Sequence, residues 1–140
     1  MRRKLRDIVA TREVVAIAAK QSVLDAAKLM VSKHVGSLLI IDGQKLEGIV
    51  TERDILTRVV AQGRDPTTLT VGEVMTRDPI VMSLDRPFSH ALTAMADGKF
   101  RHLPVVDGHK VVGVVSIRDA TGAEHEELDR VLTALDSIVS

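Results

Sequence analysis

One stretch of this chain is written twice at a constant spacing. Gly48 returns as Gly113, Asp42-Gly43 as Asp107-Gly108, Lys45 as Lys110, Val50 as Val115 and Arg53-Asp54 as Arg118-Asp119, each 65 residues further on. Ala26 and Met30 return as Ala91 and Met95, and Val14 to Asp54 aligns on Pro79 to Asp119 without a gap. Self-similarity at a fixed period marks duplication of one supersecondary unit, so the fold must be built from two equivalent halves.

Each copy reads as strand, helix, two strands and helix. A short apolar strand (Val14 to Ile17; Ile80 to Met82) precedes a helix opened by Ser22 or by Pro87. Val23, Ala26, Ala27 and Met30 fall on one helical face, as do Phe88, Ala91, Leu92 and Met95. Two strands then join across Asp42-Gly43 or Asp107-Gly108, a pair that supplies the positive φ of a tight hairpin turn. A second helix is expected from Thr51 or Ser116, and single helical turns from Leu5 to Val9 and Val71 to Met75. One copy alone would leave an apolar sheet face bare, so the expected fold is α+β, with two copies packed about a pseudo-two-fold axis. The expected boundaries are 9–60 for the first copy, 61–70 for a polar linker with Gly63 and Pro66, and 71–122 for the second copy. Residues 123–140 carry a C-terminal amphipathic helix, its stripe formed by Leu128, Val131, Leu132, Leu135, Ile138 and Val139. That stripe must fold back on its own domain or meet a second subunit, and a homodimer is the favoured expectation.

Composition narrows the function classes. With 19 basic and 19 acidic residues the formal charge is zero, so no global field draws the chain to nucleic acid or membrane. The only aromatics are Phe88 and Phe100, which leaves almost no stacking platform for single-stranded nucleic acid. A nucleic-acid role through Arg2, Arg3, Lys4 and Arg6 therefore ranks last. Absence of cysteine removes disulfides and thiolate chemistry and makes a cytoplasmic location the default. No apolar run, Leu38 to Ile41 included, is long enough to span a bilayer. The five histidines lack metal-ligand spacing, and no nucleophile elbow, P-loop or dinucleotide fingerprint is present. No catalytic pair stands out, so the expectation is a binding module and not an enzyme.

The second helix of each copy opens Thr51-Glu52-Arg53-Asp54 or Ser116-Ile117-Arg118-Asp119, directly after a strand. A hydroxyl at the N-cap with an acid three residues later is an ordinary capping box, which stabilises a helix by about 0.5–2 kcal/mol without any ligand. It is equally a place where N–H groups attract phosphate and an aspartate accepts hydrogen bonds from a ribose diol. Recurrence of hydroxyl, arginine and acid in both copies keeps the two readings level. The strand before the turn differs between copies: Val35-Gly36-Ser37 becomes Phe100-Arg101-His102. Arg101 and His102 suit phosphate oxygens, against the alternative of solvated surface cations.

These residues resemble the cystathionine β-synthase (CBS) domain family, in the form of a stand-alone tandem pair or Bateman module. The resemblance is carried by the Gly-apolar-apolar-Thr/Ser-x-x-Asp segments at 48–54 and 113–119, by His102-Leu103-Pro104-Val105-Val106-Asp107, and by Phe-Arg-His at 100–102, and covers Val9 to about Ala120. It implies clefts built across repeats. One would use Thr51, Arg53 and Asp54 with Ile80, Arg101 and His102; Asp54 would take the ribose, Ile80 flank the adenine, and Arg101 and His102 hold phosphate. The other would use Ser116, Arg118 and Asp119 with Val15, Gly36 and Ser37, without strand cations. Family ligands include AMP, ADP, ATP, S-adenosylmethionine and NAD(H). Arg101 would repel a sulfonium, which leaves AMP first and NAD(H) or ATP behind it, with no cofactor required. The implied role is regulation of an unknown effector protein by a nucleotide-sensing homodimer; the alternative is a ligand-free dimerisation scaffold.

Overall fold

The computed structural model describes residues 2–139, with side chains through residue 136. The chain forms two compact units whose membership crosses the repeat boundary: Val14–Pro79 make one, and the N-terminal residues through Glu13 join those from Ile80 onward to make the other. The short segment ahead of each copy therefore belongs to the unit built on the other copy.

In the Val14–Pro79 unit, β1 (Ala16–Ile17) runs parallel to β2 (Ser37–Asp42), β2 pairs antiparallel with β3 (Lys45–Thr51), and β3 pairs antiparallel with β4 (Thr76–Arg77). Helix α2 (Val23–Lys33) starts at Ser22, whose hydroxyl accepts the Asp25 N–H at 3.0 Å, and buries Val23, Ala26 and Met30 against Leu38, Ile40 and Val50. Beyond β3 a short helix α3 (Glu52–Ile55) loosens into a π-helical turn, Leu56–Val60, that plants Val59 in this core. The polar 61–70 stretch is packed rather than loose: Leu69 is buried, and its carbonyl accepts the Val23 N–H at 2.9 Å. Helix α4 (Val71–Val74) follows, burying Val71 and Val74.

The other unit repeats this plan. Strand β5 (Met82–Ser83) runs parallel to β6 (His102–Asp107), which pairs antiparallel with β7 (Lys110–Ser116). Helix α5 (Phe88–Gly98) buries Phe88, Ala91, Leu92 and Met95, and α1 (Leu5–Val9) supplies Leu5, Ile8 and Val9 to the same core. The Phe88 N–H donates to the Arg3 carbonyl at 2.8 Å, the counterpart of Val23 on Leu69. Pro104, opposite Val114 in β7, is tolerated because its counterpart Leu39 donates its N–H toward the parallel neighbour, to the Val15 carbonyl at 3.0 Å, and on that side β5 pairs only with Val105 and Val106.

The duplicated glycines have a physical reason. A Cβ on Gly48 would stand 2.6 Å from the Thr76 carbonyl oxygen, and one on Gly113 would stand 2.9 Å from Val9 Cβ, so Gly48 lets β4 and Gly113 lets α1 lie against its strand. In both hairpins the turn residues are Gly43-Gln44 and Gly108-His109, with φ +62° at the glycine alone, the pattern of a type II′ turn. A bulge falls at Ile40/Ile41 and again at Val105/Val106.

The second expected helix of the second copy does not form. Ile117–Asp119 make one 3-10 turn, Ala120 is extended, and the chain restarts through a second 3-10 turn at Gly122–Glu124 into α6 (His125–Val139). Two contacts account for the break: Arg3 Nη2 takes the Asp119 carbonyl at 2.7 Å, and Thr121 begins a new cap, its N–H donating to Glu124 Oε1 at 2.9 Å. Helix α6 lies against α5, with Val131 and Leu135 buried in its own unit's core. Part of the stripe thus folds back on its own domain, while Leu128 is half-buried and Leu132 stays 42% exposed; the side chains of Ile138 and Val139 lie outside the described residues.

Candidate functional site

Each unit brings a strand start and a strand end to one junction. In the Val14–Pro79 unit Ser37 pairs across the hairpin with Thr51, and the Glu52 N–H donates to the Gly36 carbonyl at 2.9 Å. In the other unit His102 pairs with Ser116, and the Ile117 N–H donates to the Arg101 carbonyl at 3.2 Å. Arg101 and His102, which the resemblance groups with Thr51, Arg53 and Asp54, thus share their own unit's junction with Ser116 and Asp119. Gly36 and Ser37 likewise stand beside Thr51 and Asp54.

Both capping boxes are formed. The Thr51 N–H donates to Asp54 Oδ2 at 2.9 Å while Thr51 Oγ1 accepts the Asp54 N–H at 3.1 Å. The Ser116 N–H donates to Asp119 Oδ2 at 2.8 Å, and Ser116 Oγ accepts the Arg118 N–H at 3.2 Å. The expectation of free N–H groups aimed at a phosphate is corrected for Glu52, Asp54, Ile117 and Arg118, whose N–H groups are already bonded.

The two acids differ. Asp54 Oδ1 has Arg58 Nε at 3.6 Å, an ion pair longer than a hydrogen bond. Arg58 is steered away by its own bond to the Val74 carbonyl at 2.8 Å. Asp119 instead receives a two-pronged fork from Arg12, with Nη1 at 2.9 Å from Oδ2 and Nη2 on Oδ1. Arg12 Nη1 also reaches the Val114 carbonyl at 3.2 Å, and the Asp119 hydrogen bond holds the guanidinium above its ordinary value. Arg58 was within reach of sequence reasoning, as a basic residue four after an acid in a helical segment. Arg12 lies 107 residues from its partner and gives no local signal.

The remaining expected site residues are placed as follows. Val15 is half-buried, its carbonyl accepting the Leu39 N–H at 3.0 Å, and Ile80 is exposed just ahead of β5. Phe100 packs against the core of its unit and over Gly98, where a Cβ would meet its ring at 2.3 Å. That ring fixes the strand start carrying Arg101 and His102. The N-terminal basic cluster is partly spent on folding: Arg3 pairs with Glu124 and Arg6 with Asp85. Among the described residues no group of three or more His, Cys, Asp or Glu could hold a metal ion, and no helix is long and apolar enough to cross a membrane.

Comparison with known proteins gives one consistent answer. The CBS domain matches twice, over residues 5–61 and 71–126. The CBS domain-containing protein CBSCBSPB2 of Arabidopsis thaliana is 43% identical over 97 residues, 69% of this chain but 18% of that protein, so the chain spans under a fifth of that relative's length. A solved protein with CBS domains from Burkholderia ambifaria MC40-6 superposes with TM-score 0.78 at 31% identity, covering 94% of this chain and 95% of its own. The CBS domain protein PAE2072 from Pyrobaculum aerophilum, solved in complex with AMP, superposes with TM-score 0.79 at 26% identity, covering 91% and 98%.

Proposed function

Because this chain belongs to the CBS-domain family, as a tandem regulatory module with both copies matched, we propose that it senses an adenine nucleotide, AMP first among AMP, ADP, ATP and NAD(H). The observation that supports this reading is the pairing of His102 with Ser116, which sets the strand start carrying Arg101 and His102, residue types suited to phosphate, beside the turn that carries Asp119. In this reading Asp54 and Asp119 take ribose hydroxyls, Arg101 and His102 take phosphate, and Ile80 and Val15 flank the base. Thr51, Arg53, Gly36, Ser37, Ser116 and Arg118 complete the set. The AMP complex of PAE2072 supports the choice of ligand. The module acts by binding, as a cytoplasmic homodimer whose ligand state an effector protein reads.

Thermal shift tests it: a ligand that binds only the folded state must raise the melting temperature, by an amount that grows with concentration. AMP is expected to raise it more than adenosine; no shift with AMP, ADP, ATP or NAD(H) would refute the sensor. One observation favours a second reading, a ligand-free scaffold: both acids already have arginine partners, Asp119 through both oxygens. Light scattering that finds a stable dimer indifferent to every nucleotide would select it.

A further inference from the structure

We propose that Arg12 is a displaceable plug on the Asp119 carboxylate, so that a diol-bearing ligand at Ser116–Asp119 must release residues 10–13 from the end of β7. This rests on the nucleotide reading above and adds a control element to it. Asp119 has one oxygen shared between the Ser116 N–H and Arg12 Nη1 and the other bonded by Arg12 Nη2, so of about four acceptor positions on the carboxylate only one is left, one short of what a diol takes. A pair of ribose hydroxyls thus needs a position that Arg12 fills. The ligand and Arg12 therefore compete.

The plug is built to leave. The Asp119 side chain is 12% exposed but that of Arg12 is 39% exposed, so the guanidinium can withdraw into water without stranding a buried cation. Residues 10–13 are all exposed, whereas Leu5, Ile8 and Val9 just before them are in the core and Arg3 is clamped on Glu124 and the Asp119 carbonyl. Release is thus confined to the strap and does not unseat α1. The arrangement is also specific to one copy. The segments ahead of the copies match at 66 residues, Leu5 on Val71 and Lys4 on Thr70, so the place of Arg12 is taken by Asp78, which cannot pair with an acid, and Asp54 takes its looser partner from Arg58. In sequence the strap leads into β1, the first strand of the Val14–Pro79 unit.

Calorimetry on the full chain with AMP and adenosine, comparing the unsubstituted protein with Arg12→Gln, Arg12→Lys and Asp119→Asn, tests this. Removing a partly exposed competing ion pair is expected to tighten binding about threefold to tenfold in Arg12→Gln, with Arg12→Lys intermediate because it cannot fork. Asp119→Asn should abolish that gain. Hydrogen exchange on the unsubstituted protein needs no variant: AMP should speed exchange at residues 10–13, where the Arg12 N–H is held by the Val9 carbonyl at 3.0 Å, and leave 5–9 protected. If AMP binds but Arg12→Gln binds no tighter and the strap's exchange is unchanged, Arg12 is not a plug. If neither the unsubstituted protein nor Arg12→Gln binds either ligand, the nucleotide reading itself fails and the plug falls with it.

Discussion

Arg3 and Glu124 stand 121 residues apart in sequence and close an ion pair in which the carboxylate is almost wholly buried. The same guanidinium lies over the Phe88 ring, 5.3 Å from its centroid, so the N-terminus is fastened by charge and by aromatic contact together.

That pair predicts an acid limb. Arg3's hydrogen bond lowers the Glu124 carboxyl from its ordinary 4.5, outweighing the opposing effect of burial, and the Thr121 N–H and hydroxyl add to the lowering. A carboxyl depressed in the folded state contributes stability that is complete above its unfolded value and is lost as pH falls through the folded one. Melting temperature is expected to fall below about pH 4.5, and Glu124→Gln to flatten that fall while costing about 1–2 kcal/mol near neutrality. An unaltered acid profile in the variant would contradict the assignment.

Gly113→Ala is expected to destabilise by about 1–3 kcal/mol, because the added methyl meets Val9 Cβ and Cγ1 at 2.9 Å inside a packed core. Gly48→Ala should cost as much, since its Cβ would meet main-chain oxygen. Gly122→Ala, with nothing within 4 Å, serves as the near-neutral comparison in urea unfolding.

Helices α2 and α5 both end on a left-handed residue that is not glycine: His34 and Lys99, each with φ 56°. An L side chain there costs about 1–2 kcal/mol, partly offset by the freedom glycine adds to the unfolded chain. His34→Gly and Lys99→Gly should therefore each stabilise by up to about 1 kcal/mol, raising the melting temperature by a few degrees. A lowered melting temperature would mean these side chains hold contacts that outweigh the strain.

For the ligand, Asp54→Ala is expected to weaken AMP and adenosine alike, because it removes a diol acceptor common to both. Arg101→Ala should penalise AMP about tenfold or more and adenosine little, since only a phosphate meets the guanidinium. Equal losses for both ligands in the arginine variant would remove its phosphate role, and calorimetry separates the cases.

The duplication, the Asp-Gly hairpins, the helical faces of α2 and α5 and both hydroxyl–acid caps were legible because each is a local pattern whose period reports burial or whose turn demands one residue type. Even α6 was legible as an amphipathic helix. What its apolar face meets was not, because a stripe records that it must be covered and not by what.

The amino-acid sequence by itself determined two copies of one plan, where each turns, and which acid and hydroxyl stand at each helix start. Only the tertiary structure decided that the segments ahead of the copies are exchanged between units, that Ser116 opens a single 3-10 turn, and that Arg12 and Arg3 converge on Asp119. The division is physical. Caps, turns and periodic faces arise from interactions within a few residues. The partner of a charged group more than a hundred residues away is chosen by which elements packing brings together, and no local pattern encodes that.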